Sequence, residues 1–456
     1  MAGSDRRVNM KVAFHTLGCK VNQYETEAMA GQFRRAGFEV VPEEERADCY
    51  VINSCTVTNI ADRKTRQFIR RAKATNPDAL VCVTGCYSQV EPETVWNMPE
   101  ADIVIGTGNK NDLVGMVLQA MESGERIKDV LPYDELRDYR DRGIITSMEG
   151  RVRAFIKIEE GCDRFCAYCL IPYARGRVRS RDPKEIVEET RTLISKGFRE
   201  IVLTGINTAL YGTEEGFKEK FGLADSDETG IEIIIHMLDK LPGDFRIRLS
   251  SLEPTVVDRD YVKRLMKYRK LTPHLHLSIQ SGSDHVLRSM GRRYTAEDYL
   301  KIVKVLRNHD EGYGVTTDII VGFPGETEED FLDSLEMCTK AEFLKVHAFK
   351  YSRRKGTRAY DMDDQVPGPV KNQRSEKLIE KGEEVRKTFL SKETGRTRTI
   401  LVEEAEGGYL TGYTENYVRA YMKCPDGADP ESLIGQFIKV VMKDLYLDGM
   451  TAEPEE

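Results

Sequence analysis

The segment Gly161–Cys169 (GCDRFCAYC) carries three cysteines, Cys162, Cys166 and Cys169, close enough in sequence to share one short loop. Thiolates are the usual ligands of iron–sulfur clusters, and a cubane held by only three cysteines keeps one iron free for a small molecule. A tetrahedral structural zinc is the alternative, but it would want a fourth protein ligand in a nearby pair, and no matching CxxC or HxxxH lies downstream. Three further cysteines repeat a single placement: Cys19 closes AFHTLGC, Cys55 closes YVINSC and Cys86 closes LVCVTGC, each directly after a short apolar run. For any one of them packing is the competing explanation, but the repetition favours a shared metal site. The remaining four do not share it: Cys49 and Cys82 lie within apolar runs, Cys338 in a helical pattern and Cys424 near the end, and they read as packing residues.

Ten cysteines in a chain of 456 residues need a compartment as well as a use. Met1–Met10 (MAGSDRRVNM) has no apolar core of the secretory kind, so a cytoplasmic location is expected, and thiols there serve metals or catalysis rather than disulfides. Charged residues make up 32% of the chain, and no stretch approaches the roughly 18 apolar residues of a membrane span, so no membrane partner is expected. The formal charge of −8 argues against indiscriminate coating of nucleic acid but leaves room for a local basic path.

Apolar runs at Val12–Thr16, Cys49–Ile52 and Leu80–Thr84, separated by helical stretches, predict a doubly wound α/β domain over residues 10–120. Residues 121–148 are charged and weakly periodic, which places a linker there. Six β-rich runs follow, at Val152–Ile158, Ile201–Thr204, Phe245–Leu249, Leu275–Ile279, Thr317–Val321 and Lys345–Tyr351. With helical patterns such as Lys184–Lys196, Ile231–Leu241 and Glu328–Lys340 between them, residues 149–380 predict a partial (β/α)6 barrel. After a charged helical stretch, Gln373–Thr394, short alternating segments at Thr399–Glu403, Tyr417–Met422 and Phe437–Met442 predict a small β-barrel over residues 381–452. The fold class is α/β, with a β module at the end.

The CxxxCxxC loop at the end of the first barrel strand resembles the radical S-adenosylmethionine superfamily. That resemblance implies one [4Fe-4S] cluster on Cys162, Cys166 and Cys169, chelated by the methionyl amine and carboxylate of S-adenosylmethionine and able to cleave it to a deoxyadenosyl radical. It also puts Tyr168 beside the adenine. Other predicted strand ends offer glycines for close backbone approach and polar groups for the cofactor: Gly205 and Asn207, Ser251 and Glu253, Gln280 and Ser281, and Gly322 in GFPG. A turn glycine or capping serine is the competing reading of each.

With Cys19, Cys55 and Cys86 added, the chain resembles the methylthiotransferases over about residues 10–450, and the terminal module resembles TRAM, an RNA-binding unit. The family resemblance implies a second [4Fe-4S] cluster on those three cysteines and a two-stage transfer of a methylthio group. LGCKVNQYETE at Leu17–Glu27 and INSCTVTN at Ile52–Asn59 look most like the branch acting on carbon 2 of threonylcarbamoyladenosine beside the tRNA anticodon. No catalytic His or Glu is expected, since attack on an unactivated C–H bond belongs to cofactors. The expected partners are S-adenosylmethionine, a tRNA anticodon loop and an electron donor such as flavodoxin or ferredoxin. Two basic stretches fit an RNA path: Ala61–Lys73, with Arg63, Arg66, Arg70 and Lys73 at helical spacing, and Arg175, Arg177, Arg179 and Arg181. The alternatives are a methylthiotransferase for another tRNA adenosine or a protein side chain, and a non-catalytic iron–sulfur RNA-binding protein.

Overall fold

The computed structural model describes residues 10–139, 152–228, 230–425 and 427–455. They form two compact units. The first comprises residues 10–139 with Lys157–Arg181 and Ser352–Tyr360; the second comprises residues 152–156, Asp182–Tyr351 and 361–455.

In the first unit, β1 (Lys11–Thr16), α1 (Lys20–Arg35), β2 (Glu39–Val41), β3 (Cys49–Ser54), α2 (Asn59–Thr75), β4 (Leu80–Gly85), α3 (Cys86–Val90), β5 (Ile103–Ile105), α4 (Leu113–Ser123) and β6 (Ile127–Asp129) build one parallel sheet of order β2-β1-β3-β4-β5-β6. Strand alternation sends Tyr50 and Ile52 to one face with Ile69 and Ala72 of α2, and Cys49 and Val51 to the other with Phe33 of α1 and Val117 of α4. Both faces are covered, which is why the strands are almost continuously apolar. The expected doubly wound domain is therefore present, but it runs further than expected. β6 lies inside the span read as a linker: its short, half-polar sequence gives little apolar signal, and its backbone pairs with β5. Residues 140–148 of that span lie outside the described residues.

In the second unit the expected runs are strands: β7 (Arg153–Lys157), β8 (Glu200–Thr204), β9 (Arg246–Leu249), then a two-residue continuation β10 (Ser251–Leu252), β11 (His274–Leu277), β12 (Gly314–Val321) and β13 (Lys345–Lys350). They form two arcs, β9-β8-β7 and β10-β11-β12-β13, with β8 parallel to β9 and each strand from β10 to β13 parallel to the next. Three of the helices between them start where side chains satisfy free N–H groups. Asp182 caps α5 (Pro183–Ser195), while Thr295 with Asp298 and Thr327 with Asp330 form capping boxes on α7 (Ala296–His309) and α8 (Glu328–Ala341); α6 (Ile231–Asp239) lies between α5 and α7 in sequence. The expected boundary at residue 380 falls within one helix, α9 (Gly368–Ser391), whose Phe389 and Leu390 join the core of the following module. That module, β14 (Thr397–Glu406), β15 (Tyr409–Thr414), β16 (Arg419–Lys423), β17 (Phe437–Tyr446) and β18 (Gly449–Pro454), is a closed barrel of order β14-β15-β16-β18-β17.

Charge seats this β-barrel on the amino ends of the strands in its own unit. Glu200, fully buried, takes Arg248 Nε and Nη2 at 2.9 Å each and also Arg246 Nε. Arg246 Nη2 then donates to Tyr413 O at 2.9 Å, Arg248 lies over the Tyr417 ring, and Arg153 Nη2 donates to Glu403 at 2.8 Å. Burial alone would raise the Glu200 carboxyl, but Arg248 and Arg246 outweigh it and hold it well below the ordinary value of 4.5. The stability this supplies is fully present above 4.5 and is lost as pH falls below it toward the folded value. Glu200→Gln leaves two buried guanidinium groups facing each other and is expected to cost about 3–5 kcal/mol in urea unfolding at neutral pH. It should also flatten the acid limb of the stability curve; a loss under about 1 kcal/mol would mean that the seat carries no net stabilisation.

Candidate metal centres

The order β2-β1-β3 reverses the direction of winding between β1 and β3, and ligands of such sheets bind beyond the carboxyl ends of the strands at that reversal. Cys19 follows β1, Cys55 follows β3 and Cys86 follows β4, so the topology itself brings together three residues far apart in sequence. Gly18, at φ +110°, makes the approach possible: a side chain there would stand 2.9 Å from Cys55 Cβ and 3.0 Å from its Sγ. Asn22 Nδ2 donates to Ser54 O at 3.0 Å and to Leu17 O at 2.6 Å, tying the two loops together. Burial and then the neighbouring Cys86 push the Cys55 thiol up to about 12, with Cys19 contributing in the same direction.

The second triad lies on the loop before the short helix Ile171–Arg175. Gly161, at φ +86°, is forced: a Cβ would fall 1.9 Å from Arg177 O. The Cys162 N–H donates to Gly176 O at 3.1 Å, the Cys169 N–H to Cys166 O at 3.0 Å, and the Ile171 N–H to Cys169 Sγ at 3.4 Å. The Ala359 N–H, from Ser352–Tyr360, donates to Ala167 O at 2.8 Å. Burial, and after it the neighbouring Cys169 and Cys166 thiols together with Glu159, raise Cys162, opposed by the backbone N–H of Arg164. Phe165 sits at φ 45° and packs edge-on against Tyr173, and both rings remain partly exposed. Tyr168 is half-buried in the same loop.

A buried charge cluster joins the two loops inside the first unit. Arg175, fully buried, donates Nε to Cys86 Sγ at 3.2 Å, Nη1 to Glu160 at 2.7 Å and to Glu25, and Nη2 to Asn22 Oδ1 at 2.7 Å and Glu25 at 3.1 Å. Lys157 reaches Glu25 at 2.7 Å and Glu160 at 2.6 Å, and Lys110 also pairs with Glu25. Burial pushes both carboxyls up, yet Arg175, Lys110 and Lys157 keep Glu25 well below its ordinary value, and Lys157 and Arg175 keep Glu160 at about 2. Arg179 also stands 3.8 Å from Glu160, so four buried cations face these two buried carboxylates, and the Arg175 Nε–H is turned toward sulfur. Burial raises Cys86, while Arg175 and Lys110 pull it the other way. Sulfur donors, a close approach that only glycine allows and a guanidinium aimed at one thiol fit an anionic, thiolate-ligated cluster.

This corrects one expectation. Arg175, Arg179 and Arg181 do not line an RNA path, because all three are buried: Arg179 donates to Leu136 O at 2.8 Å and Arg181 to the Tyr24 hydroxyl at 3.1 Å. Arg177 is exposed. On α2, Arg63, Lys64, Arg70 and Arg71 are exposed, whereas Arg66 donates to the Tyr87 hydroxyl at 2.7 Å and Lys73 pairs with Asp102 at 2.8 Å. The spare cysteines pack as expected: Cys49 and Cys82 are fully buried with sulfurs 3.6 Å apart, Cys338 is fully buried, and Cys424 packs beside the terminal core.

Of the expected cofactor contacts in the second unit, Gly205, Asn207, Ser251, Glu253, Gln280 and Gly322 lie at or just beyond strand carboxyl ends. Glu253 pairs with Arg292 at 2.9 Å, and Gln280 sits at φ 73° with its N–H on Asp318 O at 2.9 Å. The Gly322 N–H donates to Glu326 at 2.8 Å. Ser281 is fully buried, and its hydroxyl accepts from the Ser283 N–H at 3.2 Å, which makes it a turn residue.

Residues 11–106 match the family described as "Uncharacterized protein family UPF0004", and residues 156–338 match the Radical SAM superfamily. Among curated proteins, a "Threonylcarbamoyladenosine tRNA methylthiotransferase MtaB" from Bacillus subtilis is 41% identical over 94% of this chain and 93% of its own. Its namesake from Thermotoga maritima is 37% identical over 96% of each. A "tRNA-2-methylthio-N(6)-dimethylallyladenosine synthase" from Carboxydothermus hydrogenoformans is 34% identical over 95% of this chain and 98% of its own. Among solved structures, the radical S-adenosylmethionine methyltransferase TsrM from Kitasatospora setae, with cobalamin and a [4Fe-4S] cluster bound, covers 77% of this chain and 74% of its own at a TM-score of 0.55 and 14% identity, which speaks for the fold alone. On the full-length relatives and the two domain matches, the chain belongs to the radical S-adenosylmethionine methylthiotransferase family, in its MtaB branch.

Proposed function

We propose that this protein adds a methylthio group to carbon 2 of N6-threonylcarbamoyladenosine beside the tRNA anticodon, with S-adenosylmethionine as both methyl donor and radical source. The observation that carries the reading is the pair of thiol triads within one unit, joined by the Arg175 cluster. Cys162, Cys166 and Cys169 would hold one [4Fe-4S] cluster, and Cys19, Cys55 and Cys86 a second. When bound, the first supplies the electron that cleaves S-adenosylmethionine and the second supports sulfur transfer.

The chain's own groups do the rest. Gly161 and the backbone bonds of residues 162–176 fix the loop that presents three thiols, and Tyr168 and the strand-end residues Gly205, Asn207, Ser251, Glu253, Gln280 and Gly322 are the candidates to orient S-adenosylmethionine. Arg175 holds the Cys86 sulfur in position and opposes the burial that raises its thiol. Arg63, Lys64, Arg70 and Arg71, one exposed basic face of α2, together with Arg177, supply phosphate contacts. An electron donor of the flavodoxin or ferredoxin type completes the system, in the cytoplasm. The greater identity to the two threonylcarbamoyladenosine enzymes than to the dimethylallyladenosine synthase supports the choice of base.

Anaerobically reconstituted protein, given tRNA carrying threonylcarbamoyladenosine, should yield the methylthiolated nucleoside by mass spectrometry, and tRNA carrying dimethylallyladenosine should not; the reverse preference would sink the assignment. Replacing Cys162, Cys166 and Cys169 together by Ala should abolish 5′-deoxyadenosine formation and remove about half of the iron. Cys55→Ala should keep 5′-deoxyadenosine formation while losing the methylthio product, and a product that persists would remove the second site from the reaction. In the triple-Ala background, Arg175→Lys retains charge but loses the fork of donors, so the remaining cluster should become harder to reduce in a potentiometric titration followed by electron paramagnetic resonance. An unchanged midpoint would show that the guanidinium does not act on the sulfur.

A further inference from the structure

The second unit contains a ligand set with no part in the thiolate chemistry. His276 on β11, Asp318 on β12 and His347 on β13 belong to three neighbouring parallel strands, and the register sets Thr316 beside His276 and Asp318 beside His347. Side chains alternate along a strand, so these positions share one face, opposite the fully buried Leu275, Leu277 and Ile319. One donor atom from each lies within 4.8 Å of the other two.

The arrangement is built rather than incidental. His276 Nδ1 stands 2.9 Å from Thr316 Oγ1, which turns Nε2 toward Asp318 Oδ2 at 3.1 Å. The Ser278 hydroxyl donates to the same carboxylate oxygen at 2.9 Å. A hydroxyl on the far nitrogen of an imidazole and a second one on the carboxylate are the outer contacts that fix metal ligands in place. Nitrogen and oxygen donors in a tetrahedral shell lie roughly 3.3 Å apart when the metal–ligand bonds are about 2.0 Å, close to the observed His276–Asp318 spacing. The donor chemistry also decides the sign of the occupant: a carboxylate oxygen and imidazole nitrogen lone pairs bind a cation. Two imidazoles and a carboxylate suit zinc and its first-row neighbours, not the oxygen-seeking magnesium or calcium. With side-chain exposures of 14% for His276 and 26% for Asp318, the donors are partly exposed and so reachable by an ion.

We propose that His276, Asp318 and His347 bind a single divalent transition-metal ion of the zinc class, separate from the thiol triads. The test uses the reconstituted protein with both triads filled, washed with EDTA, incubated with zinc chloride and desalted. Zinc and iron are then counted together by mass spectrometry. The wild type should retain about one zinc per chain. Asp318→Asn and His347→Ala should lose it with iron content unchanged, the iron count showing that both variants are folded and loaded. X-ray absorption at the zinc edge should show nitrogen and oxygen neighbours and no sulfur. Equal zinc in wild type and variants, sulfur in the zinc shell, or a wild type that retains none would overturn the proposal and leave the three side chains as a hydrogen-bonded network.

Discussion

A guanidinium cut off from water must find acceptors for all five of its N–H groups inside the protein, and Arg175 finds them on Glu25, Glu160, Asn22 and Cys86. Breaking such a set exposes uncompensated buried charge, which costs several kcal/mol, so its geometry is tightly held. Asn22 and Glu25 come from α1, about one and two turns after Cys19; Glu160 and Arg175 flank the loop of Cys162, Cys166 and Cys169; Cys86 begins α3. One side chain thus fixes the distance between two groups of thiols that the chain order separates widely. It also ties Lys157–Arg181 into the amino-terminal unit, although this segment begins at the last residue of the first barrel strand.

A second buried ionic seat has a different purpose. Glu200 gathers Arg246 and Arg248 where the strands begin, and the same arginines donate to backbone carbonyls of the terminal β-barrel. In both places the attraction is strong because water is absent, and in both the partners come from distant parts of the chain. Such pairs add little over a well-packed apolar contact in stability, and they specify which surfaces may meet.

The doubly wound sheet, the strands of the partial barrel and the terminal β module were legible because burial on both faces or alternating burial leaves a periodic apolar trace. The strand boundaries moved by only a few residues. β6 was not legible: three half-polar residues carry no period, and only pairing with β5 makes them a strand. The grouping of Cys19, Cys55 and Cys86 was legible from placement, since each ends an apolar run, and that of Cys162, Cys166 and Cys169 from their spacing within one short loop. The Arg175 cluster was not. Glu25 and Lys157 are 132 residues apart in the chain, and a buried arginine is written with the same letter as one that binds phosphate. The one available signal was local: Arg175, Arg179 and Arg181 stand among Pro172, Ala174 and Val178, apolar residues unlike the setting of a solvated basic run.

The order of strands in the terminal barrel sets a timetable for synthesis. β18 fills the gap between β16 and β17, parallel to one and antiparallel to the other, so the ring has two open edges until residues 449–454 have been made. Arg246 and Arg248 leave the ribosome long before the carbonyls of Tyr413 and Thr414 that receive them. For that interval the amino ends of the barrel strands present paired arginines to solvent, and a nascent chain stalled later, before β18, shows the cell unpaired strand edges instead. An unfinished chain is thus marked first by its charge and then by its open edges.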